Sequence, residues 1–213
     1  MELHAEEPDG ARWRAVDDGA LLALLRQWLP VDRPGLVLVD GRSGSGKSTF
    51  AAHAADLLEG CVVSTDDIAW NHAMFEWTDV LLAGVLQPWR RGEAVKFRPP
   101  AWESHDREGS IAVESGVSMI VEGVGAARAG LAGLADLAVW VQSDLSLART
   151  RGLARDVSQG TRTPAEAEAF WGEWMMKEEP FLAADRPWER VHLWVLGTPP
   201  DGQTWIRDGV TTQ

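Results

Sequence analysis

A nonapeptide, Gly41-Arg42-Ser43-Gly44-Ser45-Gly46-Lys47-Ser48-Thr49, carries the strongest pattern in this sequence of 213 residues. It fits G-x-x-x-x-G-K-[ST], in which glycines let backbone N–H groups turn toward bound phosphates. The apolar run 36–39 precedes it and is typical of a buried strand, whereas residues 50–58 place apolar side chains on one helical face before Gly60. A strand, a glycine loop and a helix in this order predict a phosphate-binding loop, to which the helix N-terminus adds partial positive charge.

This loop supplies most of the predicted nucleotide contacts. Lys47 is expected to reach the outer phosphates of ATP or GTP, and the Ser48 hydroxyl is expected to hold Mg²⁺. The rest of the predicted cradle comes from the other loop residues: Gly41, Ser43, Gly44, Ser45, Gly46 and Thr49. No Asn-Lys-x-Asp sequence occurs in the chain, which disfavours a GTPase switch.

Composition narrows the class of protein. With 45% hydrophobic and 24% charged residues, the chain is expected to fold as one globular domain over 1–213. A formal net charge of −12 argues against nucleic acid and anionic membranes as partners. The single cysteine, Cys61, excludes disulfide frameworks within one chain. The acidic first residues lack the basic start of a signal peptide, so we expect a cytosolic location.

Apolar runs alternate with helical patterns along the chain. Such alternation predicts an α/β fold of the P-loop NTPase type, with a five-stranded parallel sheet and helices on both faces. The predicted strands are 36–39, 61–63, 117–121, 137–141 and 191–196. Residues 1–34 are interpreted as a loosely held arm over 1–16 followed by a packing helix, and 149–178 as an arginine-rich lid region. Pro180 is expected to limit the last long helix.

Acidic residues follow two of these strands, at the sheet edge where α/β folds bind ligands. Asp66 and Asp67 come after the strand 61–63, and Glu122 ends the strand 117–121. Asp66 is the candidate to deprotonate or orient an acceptor hydroxyl and to order the Mg²⁺ water shell. Glu122 is the candidate carboxylate for the same shell. The alternative for each acid is a helix or turn cap.

Arginines recur on the helix predicted after Ser143. Arg149, Arg151 and Arg155 could bind phosphate oxygens, and one of them could stabilise the charge on a transferred phosphoryl group. The alternative is a solvated helix face on which they pair with Asp144 and Asp156.

Several segments together resemble the uridine kinase, phosphoribulokinase and pantothenate kinase group. The glycine loop is similar to theirs, and Ser64-Thr65-Asp66-Asp67 resembles the segment that carries their catalytic Asp. Residues 120–123 match a strand-end Glu-Gly, and residues 149–160 are similar to the arginine-rich lid. Residues 100–107 resemble a Tyr-Asp-Phe…Ser-His-x-Arg stretch, although Pro100 and Ala101 replace its Tyr and Asp.

The resemblance covers about residues 35–197. It implies a kinase that moves the γ-phosphoryl group of ATP or GTP to a hydroxyl of a small molecule, and a nucleoside is the first acceptor that it implies. It implies catalytic roles for Lys47, Asp66 and Arg155. The implied acceptor contacts are Asp67, Glu76, Trp102, His105 and Arg107. Two alternatives stay open: a kinase of another sugar, vitamin precursor or antibiotic hydroxyl, and a regulatory module that binds nucleotide without an acceptor. A homo-oligomer is compatible with either.

Overall fold

The structure is a computed structural model that describes residues 1–4, 6–9, 12–199 and 201–209. Nine strands lie within these residues: β1 Arg14–Val16, β2 Leu36–Gly41, β3 Cys61–Ser64, β4 Val95–Phe97, β5 Ile111–Val113, β6 Met119–Glu122, β7 Leu137–Gln142, β8 Leu193–Leu196 and β9 Thr204–Asp208. The α-helices there are α1 Asp18–Trp28, α2 Lys47–Leu58, α3 Thr65–Ala69, α4 Thr78–Leu81, α5 Gln87–Arg90, α6 Pro100–Ser104, α7 Ala129–Ala132, α8 Leu145–Ser158 and α9 Pro164–Asp185. A π-helical turn, Leu82–Leu86, joins α4 to α5, and a 3₁₀ turn, Pro187–Glu189, follows α9.

The main sheet contains all five strands predicted from the sequence. In spatial order they are β3, β6, β2, β7 and β8, and every neighbouring pair among them is parallel. Strand β2 is buried along its whole length, which explains why it reads as a continuous apolar run. The α/β fold class is therefore confirmed.

The predicted count of five strands is too low, because the sheet has seven strands within the described residues. β9 pairs antiparallel with β8, and β1 pairs antiparallel with β9 at the sheet edge. Both added strands carry charged residues, such as Arg14 in β1, which lies at the sheet edge, and Asp208 in β9. They therefore lack the apolar run by which the other five strands are predicted. β4 and β5 form a separate antiparallel pair.

Helices cover both faces of the sheet, as predicted. Along β2, Leu36 and Leu38 belong to one buried cluster, while Val37 and Val39 belong to the cluster on the opposite face. Helices α1 and α2 pack on the second face, and α4, α5, α7 and α9 contribute to the first. Within the described ranges no helix is both long and apolar enough to cross a membrane.

Two local predictions are wrong. The described residues before α1 are held more tightly than a loose arm, because Glu7 is 6% exposed and pairs with Arg42, and because β1 joins the sheet. Helix α9 continues through Pro180 to Asp185. A proline inside a helix costs about 3 kcal/mol, and the buried packing of Leu182 with the stacking of Phe181 on Phe75 favours continuation.

The strand register brings the functional segments together. Glu122 at the end of β6 is the register partner of Val39 in β2 on one side and of Ser64 in β3 on the other. The glycine loop follows β2 and Asp66 follows β3, so both leave the sheet beside Glu122. The carboxyl ends of three adjacent parallel strands thus define the site.

Candidate active site

The glycine loop has the backbone of a phosphate cradle. Gly44 and Gly46 have φ angles of +75° and +96°, in the left-handed region that favours glycine. A Cβ atom on Gly44 would lie 2.0 Å from the carbonyl oxygen of Ala148, so the close approach of α8 also requires glycine there. Lys47 begins α2, and its Nζ lies 3.5 Å from the carbonyl oxygen of Arg42. The loop therefore fits the triphosphate predicted for it.

Two of the predicted Mg²⁺ ligands are in direct contact. Ser48 Oγ donates a hydrogen bond to Glu122 Oε2 at 3.1 Å, and Glu122 is 6% exposed. The part of the chain that the structure describes contains no group of three or more His, Cys, Asp or Glu placed to bind a metal ion. One carboxylate and one hydroxyl suit Mg²⁺, which commonly completes its octahedron with water and substrate phosphates.

Two cavities meet at Lys47 and Ser48, and both residues line each of them. The loop cavity has a volume of about 450 Å³ and extends over the start of α2 toward the segment that joins β8 to β9. Its further walls include Gly44, Gly46, Thr49, Arg151, Gly197 and Gln203. The aromatic cavity has a volume of about 860 Å³ and lies between α3 and the helix pair α8 and α9. Its further walls include Ser43, Asp66, Trp70, Trp77, Trp171 and Trp174.

Asp66 stands at the mouth of the aromatic cavity. It lies in the first turn of α3, is exposed, and its backbone N–H donates to Ser64 Oγ at 3.2 Å. Since Ser64 caps this helix, the Asp66 carboxylate is not needed as the cap, which removes the structural alternative considered for it. Asp66, Lys47 and Ser48 share the cavity wall.

The three candidate arginines of α8 differ in their surroundings. Arg155 lines both cavities and donates to Asp156 Oδ1 through Nε at 3.0 Å and Nη2 at 2.8 Å. Arg151 lines the loop cavity and donates to the carbonyl oxygen of Gly197 at 2.7 Å. Arg149 lines neither cavity and pairs with Glu168 of α9 on the exposed side. The structure therefore brings two of the three to the site.

Four of the predicted acceptor contacts form a cluster beside the aromatic cavity. Arg107 Nη2 donates to Asp67 Oδ1 at 2.6 Å, and its guanidinium lies 3.7 Å from the centre of the Trp102 ring. Trp102 Nε1 donates to the carbonyl oxygen of Asp67 at 2.8 Å. His105 is exposed and meets the edge of Trp70, their ring centres 5.8 Å apart.

None of these four residues is part of the cavity wall, whereas their neighbour Trp70 is. Glu76, the fifth predicted acceptor contact, is exposed and likewise does not line the cavity. Acceptor binding by Asp67, Glu76, Trp102, His105 and Arg107 stays a prediction.

Sequence reasoning missed a buried acid that contacts the glycine loop. Glu178 of α9 is 0% exposed, and its carboxylate accepts hydrogen bonds from the backbone N–H and the hydroxyl of Ser43. Trp174 Nε1 donates to the same carboxylate. The signal was available, because Glu178 follows Trp171 and Trp174 at helical spacing and is therefore an acid on the apolar stripe of α9.

A second missed acid lies under the loop. Asp40, the last residue but one of β2, accepts hydrogen bonds from the backbone N–H groups of Gly41, Gly125 and Ala127 at 2.7 to 2.9 Å. Complete burial raises the pKa of this carboxyl from 3.8 to about 6, although the three N–H donors act in the opposite direction. Asp40 thus ties the base of the glycine loop to the loop that follows β6.

No protein-family profile matches the chain, and no curated protein is significantly similar to it in sequence. The solved structure of the YGR205w protein has a TM-score of 0.55 at 14% identity, over 90% of this chain and 95% of that one. A candidate fructose transport system kinase from Silicibacter sp. TM1040 has a TM-score of 0.47 at 19% identity, over 72% and 87%. A candidate uridine kinase from Bacillus stearothermophilus has a TM-score of 0.43 at 18% identity, over 77% and 92%.

These identities are low, so the likeness is one of fold. The YGR205w structure matches nearly the whole of its own chain and of this one, and the likeness of fold rests on that match. The chain shares with that structure an α/β fold, in which the glycine loop directly follows β2.

Proposed function

We propose that this protein is a phosphotransferase that moves the terminal phosphoryl group of ATP or GTP to a hydroxyl of a small molecule. The observation that carries the proposal is the position of Lys47 and Ser48, which line both cavities, with Asp66 in the wall of the second. A nucleotide alone would occupy only the loop cavity. A second cavity that opens at the same two residues supports a second substrate.

The glycine loop would bind the triphosphate through its backbone N–H groups and the Lys47 ammonium. Ser48 and Glu122 would hold Mg²⁺, which when bound neutralises negative charge on the phosphate oxygens. Asp66, in the adjoining wall, would orient the acceptor hydroxyl and take its proton.

Arg155 suits a role at the junction of the two substrates because it lines both cavities. Its planar guanidinium could stabilise charge on the phosphoryl group as it is transferred. Asp156 accepts from both Arg155 and Arg162, the latter at 3.3 Å, and so orients two cations of the lid region. Helices α8 and α9 would limit access of water to the transferred group.

The walls of the aromatic cavity favour an acceptor that carries a flat ring. Trp70 at the end of α3 and Trp171 and Trp174 on α9 are partly exposed in this wall, whereas Trp77 is 1% exposed and lies under the Arg128 guanidinium. Indole faces suit a nucleobase or the apolar face of a sugar ring. A nucleoside is therefore the first acceptor to test, followed by other ring-bearing alcohols, including sugars and antibiotics.

The test is Mg²⁺-dependent ATP consumption with a panel of nucleosides, sugars, vitamin precursors and antibiotic alcohols, followed by detection of the phosphorylated product. Asp66→Asn should abolish the stimulation by the active compound and leave ATP affinity nearly unchanged. Asp56→Asn, an exposed change on α2, is the matched control. If no compound stimulates ATP consumption while ATP binds tightly, the protein is a nucleotide-binding regulatory module and the kinase proposal is wrong.

A further inference from the structure

Glu178 is an ionisable residue whose complete burial requires an explanation. It lies in the second half of α9 with 0% exposure, 135 residues from the loop residue that it binds. Ser43 Oγ donates to Glu178 Oε2 at 2.6 Å, and the Ser43 N–H is shared between both carboxylate oxygens at 3.2 Å. The indole N–H of Trp174, one helical turn earlier, donates to the same oxygen as the hydroxyl.

The charge on Glu178 is only partly neutralised by its surroundings. Arg42 Nη1 lies 3.9 Å from Glu178 Oε1, and Arg42 Nε lies 3.3 Å from Glu7 Oε2. One buried guanidinium therefore serves two buried carboxylates. Replacing buried ion pairs by apolar residues often leaves stability unchanged or increases it, so packing alone is a weak reason for this arrangement.

Both residues held by Glu178 belong to the aromatic cavity. Ser43 lines that cavity together with Lys47 and Ser48, and it does not line the loop cavity. Trp174 lines the same cavity from α9. Glu178 itself lies behind them, outside the cavity wall. A single carboxylate thus fixes one loop residue at the phosphate end of the cavity and one ring in its wall.

We propose that Glu178 is a positioning residue for phosphoryl transfer, which acts by fixing Ser43 and Trp174. The inference rests on the proposed phosphotransferase function and adds a residue to it. Since Ser43 faces the acceptor side, a change at Glu178 should impair transfer and leave nucleotide affinity largely intact. The amides from Gly44 onward and the Lys47 ammonium do not donate hydrogen bonds to this carboxylate.

The first experiment compares Glu178→Gln with Glu179→Gln, an exposed neighbour on the same helix. Gln retains the size of the side chain but replaces one acceptor oxygen by a donor, so it cannot serve all three donors. Turnover is measured with the most stimulating panel compound, or with water as acceptor when none stimulates, and Mg²⁺–ATP affinity is measured by calorimetry. Misplaced reacting groups typically cost about tenfold to a hundredfold in rate, and we expect that loss in Glu178→Gln alone. We expect its ATP dissociation constant to change less than about threefold, which is less than half of a tenfold effect in free energy.

The second experiment tests whether Glu178 acts through Ser43. Ser43→Ala removes the hydroxyl donor, and the double variant Ser43→Ala/Glu178→Gln should be no slower than the slower single variant. Trp174→Phe keeps an aromatic ring and removes the indole donor. Should Glu178→Gln fail to fold, Ser43→Ala and Trp174→Phe must each lower turnover with ATP affinity retained.

Three results would overturn the proposal for Glu178: wild-type turnover in Glu178→Gln, equal losses of ATP affinity and turnover, or additive effects in the double variant. If the wild-type protein hydrolyses ATP with water as the only acceptor and Glu178→Gln loses this activity, the proposed role of Glu178 is supported and the proposal of an acceptor substrate is wrong. A wild-type protein without any measurable turnover would overturn both.

Discussion

The hydroxyl of Ser48 and the carboxylate of Glu122 lie 3.1 Å apart, although 74 residues separate them in the chain. Ser48 is on the first turn of α2, and Glu122 ends the neighbouring strand β6. Strand order creates this contact, because β2 and β6 are parallel neighbours that end at the same sheet edge, where the segments after them begin. We propose that this hydroxyl and this carboxylate together hold Mg²⁺.

Glu122→Gln should therefore raise the Mg²⁺ concentration required for half-maximal ATP turnover. The amide carries no charge, and the loss of a ligand or its supporting partner commonly costs about 10- to 100-fold in metal affinity. Titration of turnover with Mg²⁺ measures the effect, with Glu114→Gln, an exposed change after β5, as control. Identical Mg²⁺ titrations for wild type and Glu122→Gln would show that Glu122 is a structural residue.

Gly44→Ala should abolish nucleotide binding through two effects, backbone strain and a clash with α8. Gly116→Ala, which produces only the strain, separates them. Gly44 and Gly116 have nearly equal φ angles, +75° and +78°, but a Cβ atom would meet Ala148 only at Gly44 and nothing within 4 Å at Gly116. The left-handed conformation costs a non-glycine residue about 1–2 kcal/mol, and Gly116→Ala should show that loss of unfolding free energy with normal ATP binding. Gly44→Ala adds the clash with α8. If both variants bind ATP normally, the loop does not require its observed backbone.

Much of this site could be predicted from the sequence, because its signals are local. The glycine loop, Asp66 and Glu122 all directly follow or end apolar runs, and parallel strands place their ends together. Strands β1 and β9 were missed because they mix charged and apolar residues. The place of Glu178 on the apolar stripe of α9 indicates its burial, but its contact with Ser43 was not predictable, because Ser43 lies 135 residues away and no local pattern links the two. His105 and Glu76 were carried over from a family pattern, and the fold leaves both exposed outside the cavity.

Asp40 should make stability depend on pH. Its pKa is raised by burial from 3.8 to about 6, so the folded state binds a proton more tightly than the unfolded state. Between these pH values the folded protein holds more protons, and the free energy of unfolding therefore falls as pH rises. Since one pKa unit corresponds to about 1.4 kcal/mol, the full effect is about 3 kcal/mol, reached above about pH 6.

Urea unfolding of wild type and Asp40→Asn from pH 4 to pH 7 measures this effect. The variant has a lower baseline stability because an amide serves three N–H donors less well, but it lacks the decline between about pH 4 and 6 that the raised pKa predicts. The difference between the two free energies should therefore narrow as pH rises through this range. Parallel curves would show that the Asp40 carboxyl titrates near its ordinary pKa.

We expect Arg151 to contribute to nucleotide binding and Arg155 to contribute to phosphoryl transfer. Arg151 lines only the loop cavity, whereas Arg155 lines both cavities. Arg151→Ala should weaken ATP affinity and change turnover at saturating ATP little. Arg155→Ala should lower saturated turnover by about 10³-fold, the lower end of what an arginine that stabilises transition-state charge contributes in phosphoryl transfer.

Arg91→Ala controls for the loss of a surface cation, since Arg91 is exposed and pairs with Glu93 two residues away. Such exposed pairs contribute about 0–1 kcal/mol to stability, so neither affinity nor turnover should change. Calorimetry with Mg²⁺–ATP and saturated turnover rates separate the two parameters for each variant. If Arg155→Ala loses only ATP affinity, both arginines bind nucleotide, and stabilisation of the transferred group must come from Lys47 and the loop N–H groups instead.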